Sequence, residues 1–263
     1  MPGLRNARPA HSAPPINFPS TDPEWELGQT TVHYALCAAL RSALFCAVGD
    51  EDFVATDLFV YFDPDDAYKK CAPDGFVKRG VPREQKDVWR TWLDGIPELC
   101  IEILSSSDRE VLPLSDKLAR YTLVGTNELV TFDPNAPLGR RLRAWDRRHH
   151  TLVERAVSRE RTPCRTLGMW FVVAPAPANE ALQPSDAFID ALRLARDPDG
   201  RDLVLTAIEQ TRHERAGKDE ALRTAERERK AAERERAEKN AALAEIKRLR
   251  ARLADESHPK KVP

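Results

Sequence analysis

Between residues 30 and 48 apolar side chains recur at helical spacing. In TTVHYALCAALRSALFCAV, Val32, Leu36, Leu40 and Leu44 stand four apart, which predicts an amphipathic helix. Thr30 or Thr31 is its candidate cap. His33 is its one polar residue of catalytic type, and beside an apolar face such a histidine reads as a packed or surface residue. The period then shortens. DFVATDLFVYFDP is β-branched and aromatic and predicts one strand ending at Pro64. PDGFVKRG predicts a short second strand, and ELCIEIL a central one. LSDKLARYTLVG returns to helical spacing and stops at Gly125. NELVTFDP predicts a strand cut off by Pro134, and RLRAWD, HTLVERAV and MWFVVAP predict further strands and hairpins. The order helix, strands, helix, strand, more strands implies an α/β or α+β domain, a mixed sheet flanked by helices.

Beyond about Leu203 the texture changes. ERAGKDEALRTAERERKAAERERAEKNAALAEIKRLRARLADE is mostly Ala, Glu, Arg, Lys and Leu without proline. Glu and Arg three and four apart support an isolated charged helix. Ala242, Ile246, Leu249 and Leu253 keep the alternating seam of a coiled coil, so a solvated helix and a dimerising one both remain open. Residues 1–23 are proline-rich and unpatterned, which predicts a disordered arm. The expected organisation is an arm at 1–23, a domain at 24–205, a charged helix at 206–256 and a tail at 257–263.

Composition narrows the class. A chain of 263 residues with formal net charge −1 is no wholesale basic nucleic-acid coat, although 32% of it is charged. Five cysteines (Cys37, Cys46, Cys71, Cys100, Cys164) form no CxxC and leave an odd one, as small hydrophobes in a reducing compartment would. No stretch reaches the ~18 apolar residues of a spanning helix. The N-terminus has prolines where a signal peptide needs an apolar run. A soluble, cytoplasmic protein is expected.

Three charged residues stand out by setting. Glu102 lies inside the apolar run LCIEIL, where an ionised carboxylate needs a cation, a proton or water. Asp74 follows Pro73 at the head of a short strand, and Lys117 opens the next helix. Adjacent strands ~4.8 Å apart would set Asp74 beside Glu102, and a helix crossing the sheet would deliver Lys117. Such a trio suits metal-assisted phosphodiester hydrolysis. Mg²⁺ takes hard oxygen ligands, and an ammonium orients water or stabilises charge. Each residue also has a plainer reading: Pro73-Asp74-Gly75 as a turn, Glu102 and Lys117 as a buried ion pair.

The order APDGFV, PELCIEILSSS, DKLARYTLVG, ELVTFDP resembles the Uma2 family (also called DUF820), regarded as endonucleases. Asp74, Glu102, Ser105, Lys117, Tyr121, Gly125, Glu128, Asp133 and Pro134 fall in register with its pattern. VATDLFVYFD resembles the strand before the family's PD motif. ALRLARDPDGRDLVLTAIE with the helix after it is similar to the tail many members carry. The resemblance covers about residues 28–250. It implies the PD-(D/E)XK, restriction-endonuclease-like fold with a divalent-metal site, Mg²⁺ or Mn²⁺. Asp74, Glu102 and the Ile103 backbone carbonyl would be ligands. Lys117 would be the catalytic lysine, since the position two after the acid is Leu104. Pro113 replaces an aspartate four residues before that lysine, and Gly75 replaces an aliphatic residue. Asp57 is an extra acid, read as a solvated strand-edge residue.

GRRLRAWDRRHHTLVERAVSRERTPCR carries Arg140, Arg141, Arg143, Arg147, Arg148, Arg155, Arg159, Arg161 and Arg165 against Asp146, Glu154 and Glu160. Arg141, Arg143, Arg147 and Arg148 are the candidate phosphate contacts. The alternative is that these arginines solubilise a hairpin or pair with acids. The expected function is a metal-dependent DNA endonuclease. A catalytically inactive scaffold and a plain nucleic-acid-binding protein, dimerising through the C-terminal helix, are the other readings.

Overall fold

The computed structural model describes residues 16–21, 30–104, 113–177 and 190–256. The expectations for residues 1–15, 22–23 and 257–263, and for Ser105, lie outside these. The chain divides into two units, Met1–Glu209 and Gln210–Pro263.

The first unit opens with α1 (Thr31–Ala47), whose N-cap Thr30 accepts the His33 backbone N–H at 3.1 Å. Of the predicted stripe, Leu36, Leu40 and Leu44 are each at most 2% exposed and Val32 is half-buried. A six-stranded sheet follows, formed by β1 (Phe53–Ala55), β4 (Gly75–Lys78), β6 (Leu99–Ile103), β7 (Glu128–Phe132), β8 (Leu142–Arg148) and β9 (Thr151–Arg155), neighbours in that order. The β6–β7 pair is parallel and the other pairs are antiparallel. This mixed sheet matches the expected fold class, and β6 is central as read. Two small sheets accompany it. One joins β2 (Val60–Tyr61) to β3 (Lys70–Cys71) and β5 (Trp89–Arg90). The other joins β10 (Arg161–Cys164), β11 (Met169–Pro175) and β12 (Asp190–Ala195). The single expected sheet is thus corrected to three.

Alternation along β6 divides the core. Leu99, Ile101 and Ile103 pack with Leu36, Leu40 and Leu44 of α1. Cys100 packs with Tyr121 and Val124 of α3 (Leu114–Val124) on the other side. A parallel β6–β7 pair needs a crossover, and α3 lies within it, ending at Gly125 with a left-handed φ of 94°. The short helix α2 (Thr91–Asp94) follows β5.

VATDLFVYFD is not one strand. Asp57 adopts a left-handed φ of 54°, and β1 and β2 on either side of it belong to different sheets. Its N–H donates to the Pro73 carbonyl at 3.0 Å instead of to a strand neighbour. Aspartate tolerates this conformation better than most residues, so the break is cheap. Of the arm expected over 1–23, residues 16–21 are described and contact the domain. Tyr61 Oη donates to the Pro19 carbonyl at 2.6 Å, and the Phe18 ring meets Tyr61 and Trp92 at 5.0 and 5.2 Å. The strand β12 was not anticipated, because Arg193 interrupts its apolar run. That side chain is buried and held by Glu209 and by the Pro175 and Val204 carbonyls.

The second unit is the greater part of α4 (Ala207–Glu256), a charged helix as predicted. Its seam residues Ile246, Leu249 and Leu253 are exposed. No helix of the described residues is long and apolar enough to cross a membrane.

An ionic cluster ties β7, β8 and β9 to β10. Arg155 reaches Glu128 at 2.6 Å and Asp146 at 2.5 Å, while Glu128 also accepts the Thr166 N–H at 2.9 Å. Removing the cation would take the guanidinium from both buried carboxylates, leaving Asp146 only the exposed Arg165 at 3.2 Å and Glu128 only neutral donors. Arg155→Met should therefore lower unfolding stability by about 3–5 kcal/mol in urea denaturation.

Candidate active site

The β4–β6 register pairs Gly75 with Ile101, so continuing it one residue sets Asp74 opposite Glu102. Asp74 directly precedes β4. Its Oδ2 accepts the Ile103 backbone N–H at 2.6 Å, anchoring it to the central strand. Gly75 explains why α1 comes so close. A Cβ there would stand 3.1 Å from both Leu40 Cδ2 and Leu44 Cδ1, so the aliphatic residue expected at this position would press on both leucine side chains. The same close approach brings two α1 side chains onto Asp74 Oδ1, His33 Nε2 at 3.3 Å and Cys37 Sγ at 3.7 Å.

Glu102 is held from the other side of the sheet. Lys117 Nζ donates to its Oε2 at 2.5 Å, and Tyr121 Oη donates to Oε1. Lys117 and Tyr121 are four apart on α3, hence on one face. Pro113, the N-cap residue of α3, makes no side-chain cap bond. Glu102 and Lys117 are 5% and 8% exposed. Burial pushes the Glu102 carboxyl up and the Asp74 charge adds to the push, while Lys117 and Tyr121 oppose it. Burial and Glu102 likewise push the Tyr121 hydroxyl up. Burial, then Asp74 and Asp57, push the Cys37 thiol far up. Asp57 is exposed as a residue, but burial of its carboxyl and the Asp74 charge push it up to about 6, His33 opposing.

Of the predicted trio, Asp74 stands opposite Glu102 in register and Lys117 reaches Glu102 from α3. Asp74, Glu102 and Lys117 share one locality, and Ile103, the backbone candidate, is bonded to Asp74 through its amide. The sequence reading passed over His33 and Cys37 as partners of Asp74. The signal was present as HxxxC on one helical face, whereas only CxxC spacing had been sought among the cysteines. Tyr121 entered by resemblance alone, with no role.

The arginine candidates are distributed differently from the expected patch. Arg141 pairs with Glu160 and, at 2.8 Å, with Asp190. Arg143 pairs with Glu154 at 2.8 Å and lies over the Trp145 ring. Arg147 donates to the Thr126 and Thr122 carbonyls at 2.8 and 2.9 Å, closing the end of α3. Arg148 is exposed. The three acids of the segment, Asp146, Glu154 and Glu160, each hold an arginine of the same segment. This arrangement matches the alternative in which the arginines pair with acids.

The Uma2 family model, described as "Putative restriction endonuclease", matches residues 27–175, more than half of the chain. A solved structure described as "a putative nuclease belonging to DUF820 from Anabaena variabilis ATCC 29413" is similar at 16% identity. It has a TM-score of 0.40 over 54% of this chain and 76% of that one. No curated protein matches.

The raised Asp57 carboxyl makes a pH prediction. A carboxyl raised on folding favours the folded state in its protonated form, and that contribution is lost as pH rises from 3.8 through about 6. With chelator present, Asp57→Asn should melt above the parent protein near pH 8. The two should converge below about pH 4 in thermal scans read by circular dichroism.

Proposed function

This chain belongs to the Uma2 family, and on that premise we propose that it is a metal-dependent endonuclease hydrolysing phosphodiester bonds of DNA. The observation that carries the reading is the register of β4 on β6, which faces Asp74 with Glu102 while Lys117 reaches Glu102 Oε2. Two buried carboxylates, one raising the other's proton affinity, are hard-oxygen donors that a divalent cation satisfies. Asp74, Glu102 and the Ile103 carbonyl would hold Mg²⁺ or Mn²⁺. Such an ion supplies Lewis acidity to the phosphate and makes water a nucleophile near neutral pH.

The protein's own groups supply the rest. The Ile103 amide holds Asp74 Oδ2, and the Tyr121 hydroxyl holds Glu102 Oε1, so neither carboxylate swings freely. The Lys117 ammonium, paired with Glu102, would orient the attacking water or stabilise charge developing on phosphate. Of the four arginines named for nucleic acid, Arg148 is the one that we keep as a phosphate contact. The catalytic domain would span residues 24–205. Residues 206–256 would join two copies through Ala242, Ile246, Leu249 and Leu253.

One observation favours a second reading, a nuclease-fold scaffold without catalysis. Both Glu102 oxygens already have donors, Lys117 and Tyr121, an arrangement electrostatically complete without an ion.

Calorimetric titration of Mg²⁺ and Mn²⁺ separates the two. On the endonuclease reading the parent protein binds and cleaves, while Asp74→Ala and Glu102→Ala lose both. Lys117→Met should retain binding and lose cleavage by about 10²-fold or more. Cleavage that persists in both carboxylate variants would point to a contaminating nuclease and sink the reading. No ion binding to the parent protein, even with DNA present, would leave the scaffold. For the helix, sedimentation should show a dimer that becomes monomeric when residues 210–263 are removed. A full-length monomer at micromolar concentration would end the dimer proposal.

A further inference from the structure

We propose that His33 Nε2, Cys37 Sγ and Asp74 Oδ1 form a three-ligand pocket for one borderline transition ion of the Zn²⁺ class. The inference deepens the reading above, because Asp74 is common to both. It assigns Asp74 an ion, and two further ligands, that an all-oxygen Mg²⁺ site would not include.

Two of the three separations are those of a coordination shell. The three donor atoms lie within 4.8 Å of one another, with Nε2 3.3 Å and Sγ 3.7 Å from Oδ1. Nitrogen and oxygen ligands ~2.0 Å from a tetrahedral Zn²⁺ stand about 3.3 Å apart, and a sulfur at ~2.3 Å stands about 3.5 Å from such an oxygen. Neighbouring oxygens around an octahedral Mg²⁺ are closer, roughly 2.9 Å. A charge-assisted N–H···O bond is also shorter, ~2.7–2.9 Å. The observed separations sit nearest the tetrahedral edges.

Donor chemistry points the same way. Imidazole and thiolate select zinc-like ions, which Mg²⁺ does not resemble in ligand preference. Three protein ligands leave a fourth tetrahedral position for a ligand from solution, as catalytic rather than structural zinc sites do. Binding displaces the Cys37 thiol proton to solvent, so the pocket would carry one thiolate and one carboxylate against the ion's two positive charges.

The pocket is also built. His33 and Cys37 stand four apart on α1, hence on one face, and all three residues are buried. The Ile103 amide takes Asp74 Oδ2 at 2.6 Å and leaves Oδ1 aimed at the α1 pair. Such outer hydrogen bonds to a ligating carboxylate fix the ligand's direction. Asp57, whose N–H is bonded to the Pro73 carbonyl beside Asp74, adds negative charge close by.

Cobalt titration of the metal-free full-length protein tests this. The expected result is one Co²⁺ per chain, with visible bands of tetrahedral intensity and a thiolate-to-cobalt charge-transfer band in the near ultraviolet. Stoichiometric Zn²⁺ should bleach the spectrum, and the same concentration of Mg²⁺ should not. Cys37→Ser should lose the charge-transfer band, Cys46→Ser should keep it, and His33→Asn should weaken Co²⁺ binding by about tenfold or more. Absence of a charge-transfer band in the parent protein overturns the pocket, whether or not the variants fold. So does a band that survives Cys37→Ser. Glu102→Gln separates this pocket from the endonuclease reading, since Glu102 is outside the donor set. A cobalt spectrum retained in that variant, with no DNA cleavage by the parent protein, supports the pocket and defeats the nuclease. Glu102-dependent cleavage with Mg²⁺ and no cobalt spectrum does the reverse.

Discussion

Two carboxylates buried side by side are the constraint around which the domain is arranged. Asp74 and Glu102 face each other across the β4–β6 pairing, and each is under 10% exposed. Left alone, such a pair costs several kcal/mol per charge and repels itself. The fold answers with donors from three elements. The β6 backbone holds Asp74 through the Ile103 amide, α1 brings His33 and Cys37, and α3 brings Lys117 and Tyr121. Such a pair, perturbed by burial and by its neighbour's charge, is the arrangement on which the proposed site rests.

The two carboxylates are nevertheless served by different chemistry. Around Glu102 the partners are an ammonium and a phenol, strong donors that suit it as an oxygen ligand or an ion-pair acceptor. Around Asp74 they are an imidazole and a thiol, groups that hold softer ions. Gly75 accommodates this asymmetry, because without a side chain it leaves space for Leu40 and Leu44 of α1 close to the strand end. A β-carbon there would press on both leucine side chains, which would have to give by a few tenths of an ångström.

Charge elsewhere is spent on cohesion. Arg155 joins Glu128 and Asp146, Arg141 joins Glu160 and Asp190, and Arg147 closes α3. The arginine-rich hairpin thus ties the large sheet to the strands after it. Glu128 takes part in that clamp as well as in β7, which ties the position of α3, and with it Lys117, to the same network.

The amino-acid sequence by itself determined the helix at α1, the central strand with its buried glutamate, the glycine stop of α3 and the long charged helix. These rest on local periodicity, capping and composition, which neighbouring residues decide among themselves. It also brought Asp74, Glu102 and Lys117 forward, since a carboxylate in an apolar strand is visible without coordinates. Tertiary structure alone decided the rest. Asp57 leaves the strand because its amide finds the Pro73 carbonyl, a contact between segments. His33 and Cys37 look like helix packing until Asp74 arrives from forty residues away. The arginines look like a binding patch until three acids of their own segment fold back on them. In each case the outcome depends on which distant group pairs with a charge, and periodicity carries no information about that.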